Sequence, residues 1–148
     1  MMRRTLLTGI WLGLLALLAS FSLQDTGTHS LSVTIHNIRS AEGTVEIALY
    51  NDADAFPSKD KAFRGVVVYA KEGALVYTFK DVPAGTYAVA VIHDENRNKK
   101  LDTNFMGIPT EGFGFSNDAM GTFGAPGFEA ASIKLDRDME VGLKLRHF

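Results

Sequence analysis

The chain of 148 residues contains no cysteine. Disulfides, thiolate metal sites, thiol nucleophiles and a lipid-modified N-terminal cysteine are therefore excluded. A basic excess is missing as well: 15 Lys and Arg stand against 17 Asp and Glu, a formal net charge of -2. With no surplus of cations to neutralise phosphates, nucleic acid is not an expected partner. The four histidines (His29, His36, His93 and His147) are scattered. No His-Glu-x-x-His zinc motif, no Gly-x-Ser-x-Gly elbow and no phosphate-cradling glycine loop occurs. These absences point to a non-enzymatic protein. The alternative is a hydrolase-type enzyme centred on His93, Asp94 and Glu111 in the 93–118 loop.

What is present is ordinary for a single folded domain: 46% hydrophobic and 22% charged residues, enough apolar material for a core. The N-terminus is less ordinary. Arg3 and Arg4 precede an uncharged, mostly apolar stretch over residues 5–20, closed by the small residues Ala19, Ser20 and Ser22. Basic, apolar and small-residue parts in that order form a secretory signal, predicted to span residues 1–22 with cleavage before Leu23. An export route to the periplasm or the exterior follows. The competing reading is an uncleaved anchor over residues 5–23, which makes the protein a membrane-tethered structural component of the envelope. Cleavage removes the single tryptophan, Trp11, and takes the formal charge from -2 to -4.

Residues 23–30 are polar and small, and read as a flexible lead-in to a domain over residues 31–148. From Leu31 the hydrophobic period is two. Leu31, Val33 and Ile35 alternate with Ser32, Thr34 and His36, and Val45, Ile47 and Leu49 with Thr44, Glu46 and Ala48. The short turn at residues 41–43 predicts a hairpin between these runs. Residues 65–69 and 74–79 are β-rich around Lys71, Glu72 and Gly73, which predicts a second hairpin. Ser58 is placed to cap one helical turn over residues 58–63. A proline turn over residues 81–85 precedes Tyr87, Val89 and Val91, and two further runs lie at residues 132–135 and 141–145. About seven short strands and no long amphipathic helix predict an all-β antiparallel sandwich, immunoglobulin-like or transthyretin-like, with a small barrel as runner-up.

One segment breaks the pattern. Residues 93–128 show neither period, and an irregular excursion of that length in a compact domain is a candidate for function. Its first part places side-chain oxygens at Asp94, Asn96, Asn98 and Asp102, positions 1, 3, 5 and 9 of a calcium loop, with the Lys100 carbonyl as position 7. Two departures stand out. Lys99 occupies the usual glycine position and Phe105 the usual bidentate glutamate position, so Glu111 or Asp118 would have to complete a shell. The same residues also form ion-free Asx-turns, and both readings stay open. The second part interleaves phenylalanine with glycine. It predicts either a lid pinned onto the open end of the sandwich, or a ligand surface with Phe113 and Phe115 as apolar contacts and Ser116 and Asn117 as hydrogen-bonding groups. The partner of such a surface is an unidentified protein or small ligand of the cell envelope, with the membrane itself engaged only through an uncleaved N-terminal segment.

The run from His93 to Asn96, then Asp102-Thr103-Asn104, Gly107-Ile108-Pro109 and residues 111–117 (Glu-Gly-Phe-Gly-Phe-Ser-Asn) resembles the signature of a bacterial secreted family, domain of unknown function family 2141. That resemblance, over about residue 31 to the C-terminus, implies an exported single-domain β-sandwich of unassigned role. The family's loop often carries glycine where this chain has Lys99. Residues 82–87 (Val-Pro-Ala-Gly-Thr-Tyr) are similar to the turn before a strand in transthyretin-like and carboxypeptidase-regulatory-like sandwiches, which implies fold and not activity.

Overall fold

The computed structural model describes residues 27–148. The predicted signal over residues 1–22 and half of the predicted lead-in, residues 23–26, lie outside that range. Among the described residues no helix is long and apolar enough to cross a membrane.

Eight strands form: β1 (Thr28–Ile38), β2 (Thr44–Tyr50), β3 (Arg64–Tyr69), β4 (Gly73–Pro83), β5 (Gly85–Asp94), β6 (Gly112–Phe115), β7 (Ser132–Leu135) and β8 (Met139–Lys144). They make two sheets, β4-β1-β8 and β3-β2-β5-β6, with β7 also paired to β5. The predicted sandwich is thus the observed fold. Every pairing is antiparallel except β1 with β8, which is parallel.

The two predicted hairpins do not form. β1 pairs with β4 and β8, whereas β2 pairs with β3 and β5. The turns at residues 41–43 and 71–73 therefore carry the chain from one sheet to the other. A period of two settles which face of a strand is buried, but it leaves the partner strand open. The lead-in is also shorter than predicted, because Thr28, His29 and Ser30 already belong to β1. Helical structure near Ser58 is a single 3-10 turn, Lys59–Lys61, and the Ser58 side chain makes no capping bond.

The inner core follows the alternation. Leu31, Val33 and Ile35 of β1 face Val45, Ile47 and Leu49 of β2 and Val89 and Val91 of β5, and all are almost fully buried. At the β4–β5 corner the Tyr87 hydroxyl donates to the Pro83 carbonyl at 2.8 Å. This bond ties the start of β5 to the turn before it, the device that sandwich corners use.

A second, smaller core covers the outer face of the larger sheet. Tyr50, Phe113 and Phe115 pack there with Phe56 and Phe128, over Ala48, Ala88 and Ala90. Phe56 is the hub, with ring centroids 5.3 Å from Tyr50, 5.7 Å from Phe115 and 5.9 Å from Phe128, all edge-on. The small alanines leave room for those rings. The lid therefore lies on a sheet face and not on the open end of the sandwich.

β6 explains why glycine and phenylalanine alternate over residues 112–115. Successive strand residues face opposite ways. The phenylalanines face the outer core, while the glycines face the C-terminal segment. A Cβ on Gly112 would stand 2.4 Å from His147 Cε1, and one on Gly114 would stand 2.9 Å from the Lys144 carbonyl oxygen. We expect Gly114→Ala to cost about 1–3 kcal/mol through overpacking, and Leu49→Ala about 2–5 kcal/mol through a cavity. Urea midpoints check both; a Gly114→Ala midpoint equal to wild type would refute the close crossing.

Candidate functional site

β5 ends at Asp94, where the long excursion begins. The Asp94 carboxylate accepts the Asn98 N–H at 3.1 Å and the Lys99 N–H at 2.7 Å. Asn96 Oδ1 accepts the Asn98 N–H at 3.0 Å, and Asn98 Oδ1 accepts the Lys100 N–H at 2.9 Å. These are Asx-turns, repeated at a spacing of two. They aim both amide nitrogens at Asp102: Asn96 Nδ2 donates to it, and Asn98 Nδ2 donates to its two oxygens at 2.8 and 2.9 Å. Asp94, Asn96, Asn98 and Asp102 thus share one hydrogen-bonded loop, as their spacing predicts. Lys100 joins through its N–H, and its side chain is exposed.

Two details refine the ion-loop reading. Lys99, at the position usually held by glycine, has φ 65, so the sharp bend forms with a lysine in it. The asparagine oxygens, however, accept backbone N–H groups, and the nitrogens face the acidic side chain. Among the described residues no group of three or more His, Asp or Glu side chains is arranged to hold a metal ion.

Of the two completing carboxylates considered, Glu111 reaches the loop and Asp118 does not. Glu111 is 4% exposed, and its oxygens accept the Glu95 N–H at 2.9 Å and the Asp102 N–H at 3.0 Å. It therefore clamps the two ends of the loop. Asp118 instead accepts the Lys144 N–H at 2.7 Å, beside β8.

The His93, Asp94 and Glu111 constellation is divided by strand geometry. His93 faces the interior with no exposed surface, and Asp94, its neighbour on β5, faces the other way. His93 Nε2 lies 2.8 Å from the Glu42 carbonyl, and Nδ1 lies 3.5 Å from Glu95 Oε1. Arg39 grips Glu95 with two bonds of 2.6 and 2.9 Å and donates to the Thr110 carbonyl at 3.0 Å. Those bonds, more than the opposing burial, hold the Glu95 carboxyl below its ordinary range, and Arg39 is correspondingly raised. Sequence reading missed Arg39, which carries no local signal of its partner 56 residues away.

Beyond Asp102 the chain forms a small turned arm. Thr103 bridges Pro109, and Asn104 Oδ1 accepts the Met106 and Ile108 N–H groups at 2.9 and 3.1 Å. A second tight turn follows β6, where a Cβ on Gly121 would meet the Gly124 and Ala125 carbonyl oxygens at 2.5 Å. Between the two lies a cleft of about 600 Å³, lined by Leu101, Met106, Ile108, Phe113, Phe115 and Met120 among others. Phe113 and Phe115, each 8% exposed, form its floor. Met106, Met120, Phe123 and Phe148 on its walls were not singled out from sequence, although the scarcity of charge over residues 103–128 was a usable signal.

Ser116 and Asn117 take no part in the cleft. The Ser116 hydroxyl accepts the Val89 N–H at 2.9 Å and donates to the Ala131 carbonyl. Asn117, at φ 60, donates to the carbonyls of Ala130 and Ser132 at 3.2 and 2.8 Å. Both sew the segment before β7 onto β5 and β6. They are polar because backbone groups there need partners, not because a ligand does.

The Arg39–Glu95 pair gives a pH prediction. A carboxyl depressed in the folded state stabilises above its unfolded value, here about 4.5, and that stability is lost as pH falls through the folded value. The stability gap between wild type and Arg39→Met should be constant from neutral pH down to about the unfolded value, then shrink as pH falls on through the folded one. Denaturant titrations at pH 7 and pH 3 giving equal gaps would contradict the pairing.

Comparison with known proteins adds one assignment. No curated protein and no solved structure matches the chain. A family profile described as "Uncharacterized protein conserved in bacteria (DUF2141)" matches residues 33–141, most of the sandwich, all of the loop and all of the cleft lining except Phe148. The chain belongs to that bacterial family, domain of unknown function family 2141.

Proposed function

We propose that this protein is an exported, non-enzymatic β-sandwich module that binds an apolar ligand or partner segment of the cell envelope in the cleft above Phe113 and Phe115. The observation that carries the reading is the surface around that floor. Met106 is 65% exposed, Met120 39% and Phe148 72%, beside a recess lined almost wholly by apolar groups. Contiguous exposed apolar surface of this kind marks interaction sites in soluble proteins. The N-terminal signal pattern supports export, to the periplasm or outside the cell. Full burial of His93, its separation from Asp94, and the use of both Glu111 oxygens by backbone N–H groups support a binding role over a hydrolytic one.

An environment-sensitive apolar dye such as Nile red tests the cleft. Wild type should enhance its emission. Ile108→Asp should weaken binding by about tenfold or more, because the bound dye would desolvate a charge. Val76→Asp, at an exposed site of β4 away from the cleft, should leave it unchanged. Equal binding by both variants would refute the assignment.

Calcium is the second reading, favoured by the left-handed bend at Lys99 and by the loop that brings Asp94, Asn96, Asn98 and Asp102 together. An ion here requires the Asn96 and Asn98 amides to turn their oxygens inward. With two carboxylates in the loop, affinity should be weak, on the order of 10⁻⁴–10⁻³ M. Terbium sensitised by the protein's tyrosines, displaced by calcium and lost in Asp94→Ala, would support it. An unchanged melting temperature in several millimolar calcium would count against it, since a ligand of the native state must stabilise that state.

A further inference from the structure

We propose that the two turns flanking the cleft dock on the uncharged acyl region of a lipid bilayer. This rests on the cleft reading above and names what the cleft faces. Three observations carry it. First, Phe105 and Phe123 are 97% and 101% exposed. Phe105 lies outside the recess, and Phe123, though it borders the recess, stands fully in solvent; both sit at the tips of their turns. Second, neither residues 103–110 nor residues 119–128 contain a charged side chain. The complement of such a surface is itself uncharged, and burying it strands no ion in a low-dielectric phase. Third, both tips are held in shape. Asn104 and Gly107 close the first through backbone bonds of 2.8 and 2.9 Å, and Gly121 permits the tight closure of the second. Side chains fixed outward on closed turns present their apolar area to a membrane with little further ordering. Phenyl rings at the tips, with Met106, Ile108 and Met120 behind them, supply apolar groups of the kind that interfacial elements bury at the boundary of headgroups and acyl chains.

The absence of cysteine makes the test clean. Thr122→Cys in the full chain, labelled with a polarity-sensitive fluorophore, reports on the second tip. Lys71→Cys, exposed in the β3–β4 connection, is the control. On addition of phosphatidylcholine vesicles the label at 122 should shift to the blue and brighten, and the label at 71 should not. The change should persist in high salt, because no charge drives it. Adding Phe105→Ser and Phe123→Ser should weaken it at least about tenfold, given the apolar area two phenyl groups bury. Labels at 122 and 71 that respond alike would overturn the proposal, even if residues 1–26 hold the chain on the vesicle. So would a response at 122 that grows with protein concentration in the absence of lipid, which would assign the surface to a second copy of the chain. Phe105 does not line the cleft, so Phe105→Ser alone should keep Nile red binding. Dye binding without vesicle insertion would leave the cleft reading standing and remove only the lipid; loss of both in wild type would remove the cleft reading too.

Discussion

The free edge of β5 organises everything beyond the sandwich. β2 occupies one side of that strand against residues 88–94, while the other side is shared by β6, against residues 90–93, and β7, against residues 85–88. Four residues of β6 therefore anchor the middle of the long excursion. They can do so because the strand is two-faced. Glycines let the C-terminal segment cross closely on one side, and phenylalanines build the outer core on the other. Remove either face and the excursion loses its footing: side chains on the glycine face would collide with His147 and Lys144, and small residues on the other would leave Phe56 without its neighbour.

The segments on either side of β6 solve different problems. Before it, the chain must leave Asp94 and return at Glu111 without regular structure, so its backbone donors need other partners. Asp94, Asn96, Asn98, Asn104 and Glu111 supply them. After it, Ser116 and Asn117 donate to backbone carbonyls on the return to β7, and Asp118 accepts a backbone N–H of β8. Several polar residues of the excursion thus serve as scaffolding, and next to this polar, largely exposed loop the two turns around the cleft display apolar groups.

Seven strands, the sandwich class and the irregular excursion were legible in the sequence because alternating Leu, Val and Ile report burial directly. Sheet membership was not, because the run at Leu31 and the run at Val45 have the same pattern whether they pair or stack. β6 was hidden for a related reason. Half of its residues are glycine, chosen for close approach, and glycine is a loop signal when read locally. Of the site, the spacing of Asp94, Asn96, Asn98 and Asp102 marked the residues that hydrogen-bond within one loop. Spacing does not say which way an amide points, and here the oxygens face the backbone. Phe113 and Phe115 were readable as a pair on one face. Asn117 and Asp118 were misread because a side chain that caps a carbonyl or an N–H looks, in sequence, like one that waits for a ligand.

The polar loop and the apolar cleft are best understood as one device. Left to themselves, Met106, Ile108, Met120 and Phe123 would fold down onto Phe113 and Phe115, since burial favours collapse. What opposes collapse is the stiffness of the two turns. The arm over residues 103–109 is fixed at its base by Glu111, which binds both Glu95 and Asp102, and by the Thr110 N–H bond to the Asp102 carbonyl at 2.8 Å. Arg39 then ties Glu95 and the Thr110 carbonyl to the end of β1, so the base of the arm is continuous with the smaller sheet. An apolar recess stays open because hydrogen bonds next to it hold its wall upright. On that account, anything that stiffens the acidic loop, a bound cation included, acts on the cleft through the position of Met106 and Ile108 rather than by touching the ligand.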